Sequence, residues 1–203
     1  ESSMSKNIIE EIRKGQILEA TKKLILQKGY SNVSIKDIAV EMDMSPGILY
    51  HYFESKEVIF FEVLKQSFFS APYRKVMETV TPLQNFPEKM IAYIDTVNES
   101  ILEDIEFYIL VVIYMSQVAY SPEIAELLQR FIRNLRLFVE EMLELAVEQG
   151  FITKATAQNL PELMMSMYMG LVLQYIADPE GIDLKQALSL QKQVILRYLQ
   201  IEE

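Results

Sequence analysis

Residues 45–56 concentrate side chains that can meet a polyanion or a base edge. Ser45, Pro46, Gly47, Ile48, Tyr50 and His51 lie on one side of a seven-residue helical stretch whose other side carries Leu49 and Phe53. On that outer side glycine and serine permit close backbone approach, Ile48 offers methyl groups to a thymine methyl, and the polar tips can hydrogen-bond phosphate oxygens. His51 taken alone is a solvated helix residue; its place on the outer face makes it a DNA-contact candidate. Lys56, directly after the stretch, is the natural phosphate partner. Upstream, Ser34 and Lys36 add a hydroxyl and an ammonium, although Ser34 is equally explained as a helix cap.

Catalytic chemistry finds little to work with. The chain has no cysteine and a single histidine, which removes disulfides, thiolate nucleophiles, cysteine-based metal sites and His-pair zinc sites together. No Gly-rich phosphate loop or nucleophile elbow is present, so no enzyme activity, metal or cofactor is expected. Glu99, Glu103, Asp104 and Glu106, and then Glu140, Glu141, Glu144 and Glu148, could attract a cationic ligand, but solvated helix faces account for them.

The positioning elements are helices. Of 203 residues half are apolar and a quarter charged, which excludes a disordered tail or a collagen-like fibre. The longest uncharged run, Phe107 to Pro122, is too short and too polar to span a bilayer. Met4 reads as the natural start, with residues 1–3 as a foreign remnant and no leader after them. Absence of cysteine permits a reducing compartment, and a cytoplasmic location is expected.

Helical periodicity runs throughout and strand signals are missing, so the fold class is all-α, with about nine helices. Ile17, Leu18, Leu24, Ile25 and Leu26 form an amphipathic helix ending at Gly29. Ser34-Ile35-Lys36-Asp37 is a capping-box variant opening a second helix whose stripe is Ile35, Ile38, Ala39 and Met42. Ser45 as N-cap and Pro46 as first residue open the third, and Ser55 caps a fourth that Pro72 should kink or end. Thr81 to Pro87 reads as a linker. Later helices start near Glu88, run through Tyr114, extend from Ser121-Pro122-Glu123 to Gly150, and occupy Thr156 to Ala177 and Asp183 to the end. Charge is uneven along the chain: residues 1–65 carry nine Lys and Arg against ten Asp and Glu, so nearly all of the net −10 falls on residues 66–203.

Two short helices joined by a tight turn within about 20 residues make a helix-turn-helix, whose second helix enters the major groove. The same segment, through Gly29-Tyr30, Val33-Ser34-Ile35, Ile38-Ala39, Ser45-Pro46-Gly47, Leu49-Tyr50-His51-Tyr52-Phe53 and Ser55-Lys56-Glu57, resembles the N-terminal domain of TetR-family transcriptional regulators over residues 12–65. Asp43 stands where that pattern has glycine, Ile25 where Phe is typical, and Ile48 where a small or hydroxyl residue is frequent. The resemblance implies a three-helix DNA-binding domain at 8–55 and a larger helical ligand-binding and dimerisation domain at 56–203. It also implies phosphate contact by the hydroxyls of Tyr50 and Tyr52.

In the second domain the Met164, Met165, Met167 and Met169 series reads as core rather than as a ligand box. The helix around it is apolar nearly all round apart from Ser166, Gly170 and Gln174, which share one stripe. A small residue there allows close helix approach, and cover on both sides implies a second subunit. The resemblance agrees, since the last two helices of such regulators form a dimer interface. Tyr93, Phe107, Tyr108, Val111, Tyr114, Phe138 and Tyr168 are the candidate pocket residues.

The expectation is therefore a homodimeric regulator, a repressor released from a palindromic double-stranded DNA operator by a small, mainly apolar or aromatic and optionally cationic effector, with no membrane partner. A helical adaptor or lipid- or small-molecule-binding module would explain the apolar half but not the Ser34 to Lys56 pattern.

Overall fold

The computed structural model describes residues 2–68 and 71–202, and no β-strand occurs among them. Among the described residues eleven α-helices follow one another: α1 (Ser2–Lys28), α2 (Ile35–Glu41), α3 (Pro46–Tyr52), α4 (Lys56–Phe68), α5 (Ala71–Val80), α6 (Phe86–Glu103), α7 (Ile105–Met115), α8 (Pro122–Glu148), α9 (Lys154–Ala157), α10 (Leu160–Ala177) and α11 (Leu184–Tyr198). A 3₁₀ turn, Tyr30–Asn32, joins α1 to α2.

Beyond the roughly nine helices legible in the sequence stand α5 and the four-residue α9. Pro72 is the second residue of α5, a first-turn position where a missing N–H leaves no bond unmade. The break before it, residues 69–70, lies outside the described residues. The Thr81 to Pro87 linker is shorter than expected, because the Asn85 side chain accepts from the Glu88 N–H at 3.2 Å and draws Phe86 and Pro87 into the first turn of α6. Similarly, α10 starts at Leu160 rather than near Thr156, since Asn159 turns left-handed with φ of 59° and Pro161 suits a helix start.

Packing divides the chain into two compact units, Glu1–Phe69 with Ile109–Leu127, and Ser70–Tyr108 with Leu128–Glu203. This grouping by packing differs from the boundary expected at residues 55/56, because the buried face of α4 (Ile59, Phe60, Val63, Leu64) packs with α1. In the first unit Ile17, Ile25, Ile38, Leu49, Ile59 and Leu64 are wholly buried. Burial of one such side chain is worth ~1.5–3 kcal/mol, and this is what holds the seven-residue α3, too short to persist alone. The second unit has a core running through Phe86, Met90, Ile94, Val139, Leu143 and Met164, and a smaller cluster around Ile101, Tyr168, Val172, Leu184 and Leu188.

Candidate nucleic-acid interface and interior polar sites

The helix-turn-helix is built from its caps. Ser34 and Asp37 exchange the expected capping box: the Asp37 N–H donates to Ser34 Oγ at 3.2 Å and the Ser34 N–H to Asp37 Oδ2 at 2.8 Å. The Ser34 hydroxyl also donates to that carboxylate, and Lys28 Nζ meets its other oxygen at 2.6 Å. These donors, Lys28 first and then Ser34, hold the Asp37 carboxyl well below the usual carboxylate range. Both donors of Ser34 are thus committed to Asp37, which favours the cap over a phosphate contact for this residue. Lys36 is exposed.

Between the helices, Asp43 takes φ of 51°, the left-handed residue after α2, with Met44 N–H donating to Ala39 O at 2.9 Å and Asp43 N–H to Val40 O at 3.2 Å. This is a Schellman closure with Asp in the place usually held by Gly, as the departure at this position requires. Ser45 precedes α3, yet its hydroxyl makes no capping bond; its carbonyl accepts from Ile48 N–H at 3.0 Å. The hydroxyl expected to cap is left facing outward.

Along α3, Leu49 and Phe53 point inward, whereas Ser45, Pro46, Gly47, Ile48, Tyr50 and His51 are exposed. Tyr52 is half-buried and its ring lies edge-on to His51 at 5.6 Å. Lys56 is the tethered member of the set. Its Nζ donates to Val33 O at 2.9 Å and stands 5.0 Å from the centre of the Phe60 ring, so it ties the start of α4 to the residue before the α2 cap. An ammonium has three donors, and two remain for a phosphate.

Of the pocket candidates, Tyr93, Phe107, Tyr108, Phe138 and Tyr168 belong to the second unit. Tyr93 packs on Phe138 at 6.0 Å, and Phe107 on Tyr108 at 5.1 Å and on Phe131 at 6.4 Å. Burial pushes the Tyr93 hydroxyl up to about 12. It raises Tyr168 as well, and there the negative charge of Asp95, and that of Tyr93 or Tyr108 if ionised, would act in the same direction; Tyr108 packs against the cluster that holds Tyr168. Tyr108 is raised by burial, then by Tyr93 and Asp104. The Tyr168 hydroxyl and Asn98 Oδ1 are buried with no hydrogen-bond partner among the described residues.

Val111 and Tyr114 belong to the part of α7 grouped with the first unit. Tyr114 is fully buried, donates to Phe60 O at 2.6 Å and packs edge-on against Tyr30 at 5.3 Å. These contacts tie Tyr114 to α4 and to the 3₁₀ turn within that unit. The sequence reading did not pick out Asp95, Asn98 or Phe131; one buried amide and one carboxylate on an acidic helix face carry no pattern of their own.

Ser166, Gly170 and Gln174 line a groove between α10 and α11 with Leu190, Gln191 and Val194. The Ser166 hydroxyl donates to Glu162 O at 2.8 Å and Gln174 Nε2 to Gly170 O at 3.2 Å, within α10. A Cβ built at Gly170 would meet nothing within 4 Å among the described residues. Gln191 is 3 % exposed, yet neither of its amide atoms has a partner. Among the described residues no helix is long and apolar enough to cross a membrane, and no cluster of His, Cys, Asp or Glu could hold a metal ion.

Comparison with known proteins places these features in context. Residues 17–63 match the profile of bacterial regulatory proteins of the tetR family, and residues 90–200 that of the C-terminal part of BetI-type transcriptional repressors. The chain is 26% identical over 182 residues to the regulator UidR of Escherichia coli K12, spanning 86% of this chain and 85% of that protein. It is 25% identical over 200 residues to the regulator BetI of Brucella canis, with 95% and 94% covered. Among solved structures, a transcriptional regulator from Saccharomonospora viridis in complex with choline superposes with a TM-score of 0.80 at 19% identity, covering 91% of this chain and 96% of that one.

Proposed function

This chain belongs to the TetR family of bacterial regulatory proteins and is a sequence-specific DNA-binding transcriptional regulator; from that premise we propose that it is a homodimeric repressor whose effector is a quaternary ammonium compound of the choline type. Residues 8–55 bind the operator and residues 56–203 bind the effector and pair the subunits. On the DNA, Ser45, Gly47, Ile48, Tyr50 and His51 face the groove of a half-site, while Lys36, Tyr52 and Lys56 hold phosphate. Two such helices related by the dimer axis read the halves of a palindrome.

The observation that carries the effector assignment is the meeting of buried Tyr93 and Tyr168 with half-buried Tyr108 near Asp95, with the Tyr168 hydroxyl lacking a partner among the described residues. Aromatic faces attract a quaternary ammonium through their quadrupoles, and a free buried hydroxyl suits the alcohol end of a choline-like molecule. The choline held by the Saccharomonospora viridis regulator supports the class. Asp95 is already paired with Lys192 at 2.7 Å, so the aromatic faces rather than a free carboxylate supply most of the attraction. A phosphorylated metabolite would enter an acidic region with no Gly-rich nest of backbone donors.

A ligand shifts the regulator only by its differential affinity for two conformations; a coupling of ~1–3 kcal/mol weakens operator binding about 5–150-fold. Both α7 and α8 contribute residues to each compact unit, so displacement of either is transmitted along a continuous helix.

The test starts by selecting bound fragments from genomic DNA, then follows their release by anisotropy as choline, its neutral isostere 3,3-dimethylbutanol or a nucleotide is added. Release and thermal stabilisation by choline, weaker with Tyr93→Ala and absent with the isostere, is expected. Release by the nucleotide, or equal action of the isostere, would sink the assignment.

A further inference from the structure

A second cleft, of about 600 Å³, lies wholly within the first compact unit. Its walls are Tyr30 from the 3₁₀ turn, Val58 and Phe61 from α4, Tyr120 from the turn before α8 and Ile124 from the first turn of α8, with the carboxylates of Glu57 and Glu123 among them. The size suits a drug-sized molecule, for which sites commonly run to ~300–1,000 Å³. No Lys or Arg lines it.

Its chemistry is selective in two ways. Tyr120 is 83 % exposed at the rim, an aromatic ring with its face available, while Tyr30 is half-buried and fixed edge-on against Phe60 at 4.8 Å and Tyr114 at 5.3 Å. Glu57 lies close enough to Tyr30 for its charge, after burial, to disfavour ionisation of the phenol. Glu123 accepts from Ser121 Oγ at 3.0 Å, which steadies one carboxylate oxygen. Aromatic surface beside two negative charges, with no positive charge to neutralise them, favours a cation carrying apolar bulk and repels an anion of equal shape.

We propose that this cleft is a second, separate binding site, taking a bulky organic cation, and that it operates independently of the tyrosine cluster of the other unit. It follows from the cleft's own lining and stands whether or not choline is the effector.

Tetraphenylphosphonium is a suitable probe, because tetraphenylborate matches its shape with opposite charge. Equilibrium dialysis of the full chain with tetraphenylphosphonium should give saturable binding that falls at least tenfold in the Glu57→Gln/Glu123→Gln double variant. Both positions are exposed, so the variant keeps its fold, which circular dichroism checks. Tyr93→Ala and saturating choline should leave this binding unchanged, and tetraphenylborate should not compete. Absence of saturable binding, binding untouched by the double variant, loss of binding in Tyr93→Ala, or equal binding of the borate would each overturn the proposal.

Discussion

Lys56 and Lys36 carry the same charge but different structural duties. Lys56 donates to the carbonyl of Val33, a residue almost wholly buried, so its truncation leaves an acceptor unpaired at a cost of roughly 1–3 kcal/mol. Lys36 is exposed, and its truncation costs the fold little. Each phosphate contact contributes about one to the slope of log affinity against log salt. We expect both Lys36→Ala and Lys56→Ala to lower that slope by about one on operator and random DNA alike, but only Lys56→Ala to lower the melting temperature. Anisotropy titrations at several salt concentrations, set beside thermal melts, check this; a loss confined to one DNA sequence would take either residue off the phosphate. Asp37 gives a pH prediction. Its folded-state pKa is depressed by Lys28 and Ser34, so the stability it contributes is present above the ordinary carboxylate range and is lost as pH falls through and below that range. Melting temperature measured from pH 6 downward should therefore drop less steeply in Asp37→Asn than in the parent; parallel curves would refute the linkage.

Elements here are set largely by their ends. Gly150 at φ 77° closes α8, with Phe151 N–H on Ala146 O and Gly150 N–H on Val147 O, both bonds of a Schellman motif. That end was readable because glycine announces it. The left-handed Asp43 and Asn159 announce themselves less, since Asp and Asn tolerate several backbone regions and only the surrounding structure selects this one, and Gln200, also left-handed, is of a type that gives no such signal. The same limit explains why the outer face of α3 was legible and the aromatic group was not. On α3 an inward pair, Leu49 and Phe53, separates the faces by spacing alone, whereas Tyr114 and Tyr168 look alike along the chain and differ only in what surrounds them. Tyr114 bonds α7 to α4 through the Phe60 carbonyl, and Phe60 in turn lies under the Lys56 ammonium. Tyr114→Phe keeps the ring and removes the bond. We expect a stability loss of about 1 kcal/mol, typical of one hydrogen bond, and a changed ratio of operator affinities with and without effector. An unchanged ratio would leave Tyr114 a packing residue only.

At the scale of the whole molecule the net charge of −10 opposes binding to a polyanion, and residues 66–203 carry nearly all of it. One short helix presenting a single exposed imidazole and few cations is a weak reader by itself. Two of them joined in a dimer would multiply their affinities through effective concentration, so we expect operator binding at physiological salt to require pairing of subunits. The groove between α10 and α11 offers the surface: Leu173, Leu190 and Val194 are exposed apolar residues there or beside it, and the amide of Gln191 waits without a partner inside the chain. Gly170→Leu tests this cleanly. Within one subunit a Cβ at this position meets nothing within 4 Å among the described residues and the rest of the side chain enters an open groove, so we expect the monomer to keep its fold, whereas in a close helix crossing overpacking typically costs ~1–3 kcal/mol at each copy. Sedimentation at micromolar concentration should then move from dimer to monomer while circular dichroism stays unchanged, and operator affinity should fall with it. A parent protein that sediments as a monomer, or a Gly170→Leu variant that remains a dimer, would move the interface to another face.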